Sequence, residues 1–118
     1  MVPEKVQKEV LGHFPNAINI EWHKLPTHFE SIFYLEEVEH IADISLDGHL
    51  LSYKKNLKTG DLPAVVREKS ELEGEIMSAI SHHTSEGIQH EIIIRKKDFS
   101  RDLLAFNVHN VLTEIKSV

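Results

Sequence analysis

The chain has 118 residues, of which 41% are hydrophobic and 27% are charged, and it contains no cysteine. This size and composition suit a single globular domain with its own core, and the lack of cysteine excludes disulfides and cysteine-based metal or cluster sites. Nineteen acidic residues outnumber thirteen basic ones, and the resulting net charge of −6 argues against nucleic-acid binding, which needs basic side chains to neutralise phosphates.

The sequence also bears on membranes and on the cellular compartment. No apolar run approaches the roughly 18 residues that cross a bilayer, so we predict no membrane insertion. The first ten residues, MVPEKVQKEV, lack the cationic and apolar regions of a signal peptide. A cytoplasmic location and an exported form whose signal lies outside this sequence both stay open.

The first half of the chain predicts one helix followed by four strands. Pro3 suits a first helical turn, an apolar stripe follows it, and Gly12 and Pro15 end the helix. Alternating apolar residues then predict strands at 17–24, 29–35, 38–46 and 49–55. The second of these strands is apolar on both faces, so we expect it to be central in a sheet. Its alternation places Phe29, Ser31, Phe33 and Leu35 on one face and Ile32 and Tyr34 on the other.

The stretch from Asp43 to Gly48 resembles the opening of a calcium loop, because oxygen-bearing side chains alternate and a glycine stands sixth. The twelfth position is Lys54, however, where an EF-hand needs a bidentate glutamate. A strand would also spread the acidic residues along one face instead of around a point. We therefore interpret Asp47-Gly48 as the two-residue turn of a hairpin.

The second half of the chain repeats the pattern of the first. After a polar connector at 56–61, Leu62-Pro63 restarts the chain as Val2-Pro3 did, sixty residues earlier. The sequence then predicts a second short helix, followed by strands at 75–83, at 90–97 and within 101–114. A shift of 60 residues aligns Ile92 with Ile32, and a shift of 62 places His109-Asn110 on Asp47-Gly48.

The segment at 71–82 admits two interpretations. Leu72, Ile76 and Ile80 fit a helical stripe, which would extend the second helix. We prefer a strand from Glu75, because Gly74 is a poor helix-interior residue and because the sixty-residue register then continues.

These patterns predict an α+β fold made by internal duplication. Two tandem units of a helix and four strands, about 1–57 and 62–118, form one domain. Its core is a curved antiparallel sheet of up to eight strands with both helices on one face.

Several short motifs and their spacing carry a resemblance to a known family. They are Val2-Pro3 and Leu62-Pro63 before the helices, FPNA at 14–17, INIEW at 18–22 and SLDGHLL at 45–51. In this order they resemble the PepSY-like family, whose tandem units resemble the fold of the β-lactamase inhibitor protein. The second unit departs from the motif: Gly74 replaces Phe14, His82 replaces Trp22, and His109-Asn110 replaces Asp-Gly.

The resemblance implies a small bacterial domain, exported to the periplasm or cell surface and without demonstrated catalysis. It suggests a role in binding or inhibiting another protein. It transfers no functional residue, and the sequence leaves the ligand-binding residues unknown.

Histidines are the main candidates for a metal site. Those that fall in or beside predicted strands are His23, His28, His40, His82, His83 and His90. Imidazole and carboxylate ligands would suit zinc or nickel, but no HxH or HExxH spacing fixes two of them on one element. We predict no metal site and no cofactor.

No catalytic constellation is evident either. The candidate nucleophiles are serines such as Ser31, Ser45, Ser52 and Ser78. None stands in a G-x-S-x-G elbow, and the chain has no paired acidic motif or glycine-rich phosphate loop. We predict no catalytic residues and no enzymatic activity.

Three aromatic residues offer a binding function. Trp22, Tyr34 and Tyr53 could anchor a partner on the open face of the sheet, or Trp22 could pack under a helix with Ile18 and Ile20, which we favour. The leading hypothesis is a non-enzymatic module that binds a protein or peptide, with inhibition as one outcome, through the uncovered sheet face or an edge strand. The alternative is a small-ligand or metal sensor built on the strand histidines, and a third is self-association through edge strands. The sequence does not fix the oligomeric state.

Overall fold

The computed structural model describes all residues from Met1 to Val118 and contains two α-helices and eight β-strands. The elements are α1 (Glu4–His13), β1 (Ile18–Lys24), β2 (His28–Leu35), β3 (Val38–Ser45), β4 (Leu50–Asn56), α2 (Ala64–Glu73), β5 (Glu75–Thr84), β6 (Gly87–Arg95), β7 (Arg101–Phe106) and β8 (Leu112–Ser117). The strands form an open antiparallel sheet in the order β1 to β8. The predicted α+β class is therefore confirmed.

The residues group into two compact units, Met1–Lys55 (unit 1) and Asn56–Val118 (unit 2). Each unit contains one helix followed by four strands, as predicted. A short 3-10 turn, Thr59–Asp61, lies in the connector that the sequence marks as polar. Neither helix is long and apolar enough to cross a bilayer.

In unit 1, α1 packs against one face of β1–β4. The helix begins after Pro3, whose carbonyl accepts the Gln7 N–H at 3.2 Å. Val6 and Val10 lie one turn apart on α1 and are fully buried, so this apolar stripe attaches the helix to the sheet. The buried core of the unit consists of Val6, Val10, Phe14, Phe29, Phe33, Ala42 and Ile44.

Aromatic contacts and one part-buried hydrogen bond complete this core. The Phe14 ring closes the end of α1 and lies 4.9 Å from the Phe33 ring, on which the buried His40 stacks at 5.4 Å. The Glu9 carboxylate accepts the Leu50 N–H at 2.7 Å, which lowers the pKa of Glu9. This bond joins α1 to the start of β4.

In unit 2, α2 packs in the same manner. Val66 and Ser70 of the helix are fully buried. The helix ends at Glu73, and β5 begins at Glu75, so the strand interpretation of this segment is confirmed. The buried core of the unit consists of Leu62, Val66, Ala79, Ile92, Ile94, Leu104 and Phe106.

Gly74 has a steric reason to be glycine. A Cβ at this position would lie 2.7 Å from the Arg95 carbonyl oxygen, which is closer than real Cβ contacts. The missing side chain lets the chain leave α2 and enter β5 in close contact with the end of β6.

The predicted register between β2 and β6 is wrong by one residue. A shift of 60 residues aligns Ile92 with Ile32, but Ile92 is fully buried under the helix, whereas Ile32 lies on the opposite face of its strand. Phe33 and Ile94, which are 61 positions apart, are the fully buried pair instead. Because successive side chains of a strand point to opposite faces of the sheet, an alignment error of one residue assigns every side chain to the wrong face.

The hairpin between β3 and β4 is also longer than predicted. The Ser45 N–H donates to the His49 carbonyl at 2.8 Å, so three residues, not two, form the turn. Gly48 adopts a φ of +96°, which a glycine tolerates easily.

Candidate functional site

Alternate side chains of β1–β4 point away from α1, and they form what we call the outer face of unit 1. Its members are Ile18, Glu21, His23, His28, Glu30, Ile32, Tyr34, Glu39, Ile41, Asp43, Ser52 and Lys54. The register places Ile32 opposite Ile41 and Glu30 opposite Asp43, whereas Ser31, between Glu30 and Ile32 in sequence, is fully buried on the helix side. Side chains that alternate along each strand therefore lie either on the face that α1 covers or on the outer face.

A β-bulge brings Ile18 to the outer face. Ile18 lies opposite Tyr34 and Glu21 lies opposite Ile32, so β1 has one residue more than β2 between these two pairs. Asn19, inside the bulge, has a φ of +54°, a left-handed conformation that asparagine adopts more readily than most residues. The predicted register, with Ile18 beside Ile20 and Trp22, is therefore wrong for Ile18.

Four side chains make an apolar patch on the outer face: Ile18, Ile32, Tyr34 and Ile41. Ile18 is 58% exposed and Tyr34 is 38% exposed, and these two face each other across β1 and β2. Ile32 and Ile41 face each other across β2 and β3 and are half-buried. A tyrosine beside aliphatic side chains is a composition typical of the centre of a protein interface.

Carboxylates surround this apolar patch. Glu21, Glu30, Glu39 and Asp43 share the outer face with one lysine, Lys54, which lies opposite Ile41. The Tyr34 hydroxyl donates to Glu39 at 3.4 Å. The outer face therefore combines an apolar centre with an acidic surround.

The candidate histidines are spread over different environments. His23 and His28 lie on the outer face of unit 1, His40 and His90 are buried, and His82 and His83 lie in β5. The His23 Nε2 atom is 3.4 Å from Glu21, and the His28 Nε2 atom is 3.4 Å from Asp43. No group of three or more histidine and carboxylate side chains is arranged to hold a metal ion.

His90 is buried in unit 2, and its surroundings perturb its pKa. It is 5% exposed, and its Nδ1 atom has no hydrogen-bond partner. Burial lowers the pKa of His90, because the charged imidazolium would lose its hydration. The neutral ring is therefore the form that this site accommodates.

Two of the candidate serines and two of the three candidate aromatic residues have structural surroundings. Ser31 is fully buried in β2, and Ser45 donates its hydroxyl to the Asp47 carboxylate inside the β3–β4 turn. Trp22 and Tyr53 pack against the helix-covered core of unit 1, as we favoured for Trp22. Of the three aromatic residues, Tyr34 is the one on the outer face.

The acidic turn behaves as a hairpin in the structure. The Ser45 hydroxyl accepts the His49 N–H at 2.9 Å and lowers the pKa of Asp47 through the hydrogen bond that it donates. Lys54, at the twelfth position of the calcium pattern, lies in β4 opposite Ile41. The side chains of this turn bond to each other and to their own backbone.

Comparison with known proteins gives the fold but no family assignment. No protein-family model matches the chain, and no curated protein matches it. Solved structures do match. One is a candidate periplasmic protein from Bacteroides eggerthii DSM 20697. It is 14% identical to this chain, with a TM-score of 0.87 over 100% of this chain and 90% of that one.

Two further structures are similar to this chain. A DUF2874 family protein from Bacteroides uniformis ATCC 8492 is 10% identical, with a TM-score of 0.86 over 100% of this chain and 91% of that one. A BLIP-like protein from Bacteroides fragilis NCTC 9343 is 14% identical, with a TM-score of 0.82 over 100% of this chain and 87% of that one. The chain therefore has a BLIP-like fold.

Proposed function

We propose that this chain is a non-enzymatic binding module that holds a basic protein segment or peptide on the outer face of unit 1. The observation that carries the proposal is the apolar patch of Ile18, Ile32, Tyr34 and Ile41, which reaches solvent among four carboxylates. Such a surface favours a ligand that has apolar side chains at its centre and lysine or arginine around them.

The two parts of this surface have different roles in binding. Burial of the exposed parts of Ile18 and Tyr34 would supply affinity, since apolar area removed from water contributes roughly 25 cal/mol per Å². The carboxylates would speed the encounter with a basic ligand and disfavour acidic ligands. Glu39 also holds the Tyr34 hydroxyl, and this contact orients the aromatic ring.

The edge of β1 extends the same surface. β1 is the first strand in the sheet order, so the backbone groups on its free edge have no strand partner. An extended segment could pair with this edge and place its side chains beside Ile18. This mode combines the two binding routes that the sequence suggested, the open face and the edge strand.

We also propose that the chain is a PepSY-like domain made of two repeats that arose by duplication. The order of the helix-opening prolines and the SLDGHLL turn supports this proposal, as does the helix-plus-four-strand composition of both units. The similar Bacteroides fragilis structure carries a BLIP-like description, which fits a module that binds proteins rather than a catalyst. Inhibition of the bound protein is the further outcome that this comparison suggests.

Selection of peptides tests the proposed binding surface. A random peptide library displayed on phage would be selected on the immobilised full chain, and fluorescence anisotropy would then give the affinity of the enriched peptides. We expect enriched peptides to combine lysine or arginine with apolar residues. Tyr34→Ala removes the aromatic anchor and should weaken binding by about tenfold, which corresponds to roughly 1.4 kcal/mol.

A matched control separates the surface from a general effect on the protein. Val65 on α2 is 61% exposed and lies in unit 2, so Val65→Ala removes a similarly exposed apolar side chain far along the chain from the patch. We expect Val65→Ala to bind the selected peptides as the wild type does. Enrichment of acidic peptides, or equal binding to the Tyr34→Ala variant, would contradict the proposal.

A further inference from the structure

Three hairpin turns of this chain share one hydrogen-bond pattern. They span residues 45–49, 96–100 and 107–111. In each turn the first residue donates its N–H to the fifth carbonyl, at 2.8, 2.8 and 2.9 Å. The fourth residue donates its N–H to the first carbonyl, at 3.0, 2.9 and 3.0 Å.

The fourth residue of each turn has a left-handed backbone. It is Gly48 with a φ of +96°, Phe99 with a φ of +67° and Asn110 with a φ of +61°. Glycine and asparagine adopt this conformation readily, whereas a bulky aromatic residue rarely does. Of the three residues at this turn position, Phe99 is therefore the one whose side chain is least compatible with the left-handed backbone.

Burial of the Phe99 side chain does not offset the cost of its left-handed backbone. The side chain is 76% exposed, and its ring contact is with the Arg95 guanidinium, whose centre lies 5.8 Å from the ring centroid. A strained residue that gains little inside its own chain is a candidate for a contact outside it.

Phe99 borders a groove of about 810 Å³ within unit 2. The end of α2, the start of β5 and the β6–β7 turn line this groove. Leu72, at the end of α2, is 81% exposed and lines it too. Two large apolar side chains therefore reach solvent at one groove.

The segments that line the groove carry opposite charges. Glu71, Glu73 and Glu75 come from the α2–β5 side, and Arg95, Lys96 and Lys97 come from the β6–β7 side. Several of these are paired: Glu71 with Arg67, Glu75 with Arg95, and Lys96 with Asp102. Glu73 and Lys97 form no ion pair within the chain and remain available.

We infer that the occupant of this groove is a second copy of this chain, docked by a two-fold axis with Phe99 of each copy entering the groove of the other. A two-fold axis brings each surface against itself in the reverse direction. Glu73 of one copy then faces Lys97 of the other, and the reciprocal contact forms at the same time. A partner of a single charge sign would instead be repelled by one side of the groove.

The first test removes the aromatic side chain. Phe99→Gly suits the left-handed backbone, so the variant keeps its fold while losing the ring. Sedimentation velocity of the full chain over a series of concentrations should show a dimer for the wild type. For Phe99→Gly the dissociation constant should rise at least tenfold. Asn110→Gly, the same change in the equivalent turn outside the groove, should dimerise as the wild type does.

The second test reads the two-fold geometry itself. Glu73→Lys and Lys97→Glu should each weaken self-association, because like charges then face each other in both reciprocal contacts. An equimolar mixture of the two variants should dimerise again, because every contact then joins opposite charges.

The outcomes separate this inference from the proposed function. A wild-type chain that stays monomeric at every concentration overturns the inference. Dimerisation that is insensitive to Phe99→Gly, or a mixture of the charge variants that stays monomeric, also overturns it. The peptide selection on the outer face of unit 1 concerns other residues, so its result stands whichever way these tests end.

Discussion

Replacing Gly74 by alanine tests the junction between α2 and β5, because the substitution either lowers or raises the free energy of unfolding depending on the structure there. The added Cβ would lie 2.7 Å from the Arg95 carbonyl oxygen and 3.0 Å from the Ile94 Cδ1 atom. One of these neighbours is backbone in β6, so the strand end must shift. Overpacking of this kind destabilises a protein by about 1–3 kcal/mol. If the segment at 71–82 were helical instead, Gly74→Ala would stabilise the protein by about 1 kcal/mol.

Gly12→Ala is the matched control for this substitution. Gly12 lies in α1, and a Cβ there would have no neighbouring heavy atom within 4 Å. We expect Gly12→Ala to stabilise the protein by about 0.5–1 kcal/mol, because alanine has the higher helix propensity.

Urea unfolding followed by circular dichroism measures both effects. With a slope of about 1–3 kcal/mol/M for a small protein, the expected loss of stability should lower the urea midpoint of Gly74→Ala by roughly 0.3–3 M. Gly12→Ala should raise it slightly. A midpoint for Gly74→Ala equal to or above that of the wild type would refute the close approach of Gly74 to β6.

Three further predictions concern the two cores. Because burial lowers the pKa of His90 while the unfolded chain keeps the ordinary value of about 6.5, the unfolded state binds more protons below that pH. The free energy of unfolding should therefore be at its full value above about pH 6.5 and decrease as the pH falls below it. Urea unfolding at several pH values should show a smaller decrease for a His90→Leu variant than for the wild type. An equal decrease in the two proteins would contradict this prediction. Phe33→Ala removes a fully buried ring and should destabilise the protein by about 3–5 kcal/mol in the same assay, and a loss below about 1 kcal/mol would contradict its position in the core. Glu9→Ala leaves the Leu50 N–H without its acceptor and should cost about 1–3 kcal/mol, whereas Glu9→Gln keeps an oxygen acceptor and should cost less; equal losses would argue against this hydrogen bond.

The sequence predicts most of the fold because its local signals agree with the packing. Prolines mark the starts of both helices, and the two-residue periods mark the strands. At Gly74 the helix propensity and the repeat register favour the same answer, a strand from Glu75. The one-residue error between β2 and β6 arose because Ile92, Ile93 and Ile94 are all isoleucine, so side-chain type alone does not assign a face.

The candidate site was predicted only in part. The alternation of β2 places Ile32 and Tyr34 on the face opposite Phe33, which the structure bears out. Ile18 was missed because a bulge breaks the alternation of β1. Asn19 is the signal that could have revealed it, since asparagine tolerates the left-handed backbone of a bulge.

Phe99 shows the limit of local signals more clearly. The sequence of its turn, Lys96 to Ser100, has no glycine or asparagine to mark a left-handed position. Only the hydrogen bonds of the folded hairpin show that Phe99 stands where Gly48 and Asn110 stand in the other two turns.

Isoleucine methyl spectra of the full chain, recorded while a selected basic peptide is added, test the proposed binding function most directly. We expect the Ile18, Ile32 and Ile41 methyl signals to shift together on binding, because these side chains form the apolar patch with Tyr34. Signals of Ile88 and Ile115 in unit 2, which are 42% and 48% exposed, should stay in place and serve as internal controls. Shifts confined to Ile88 and Ile115, with the three patch signals unchanged, would show that the peptide does not bind the outer face of unit 1.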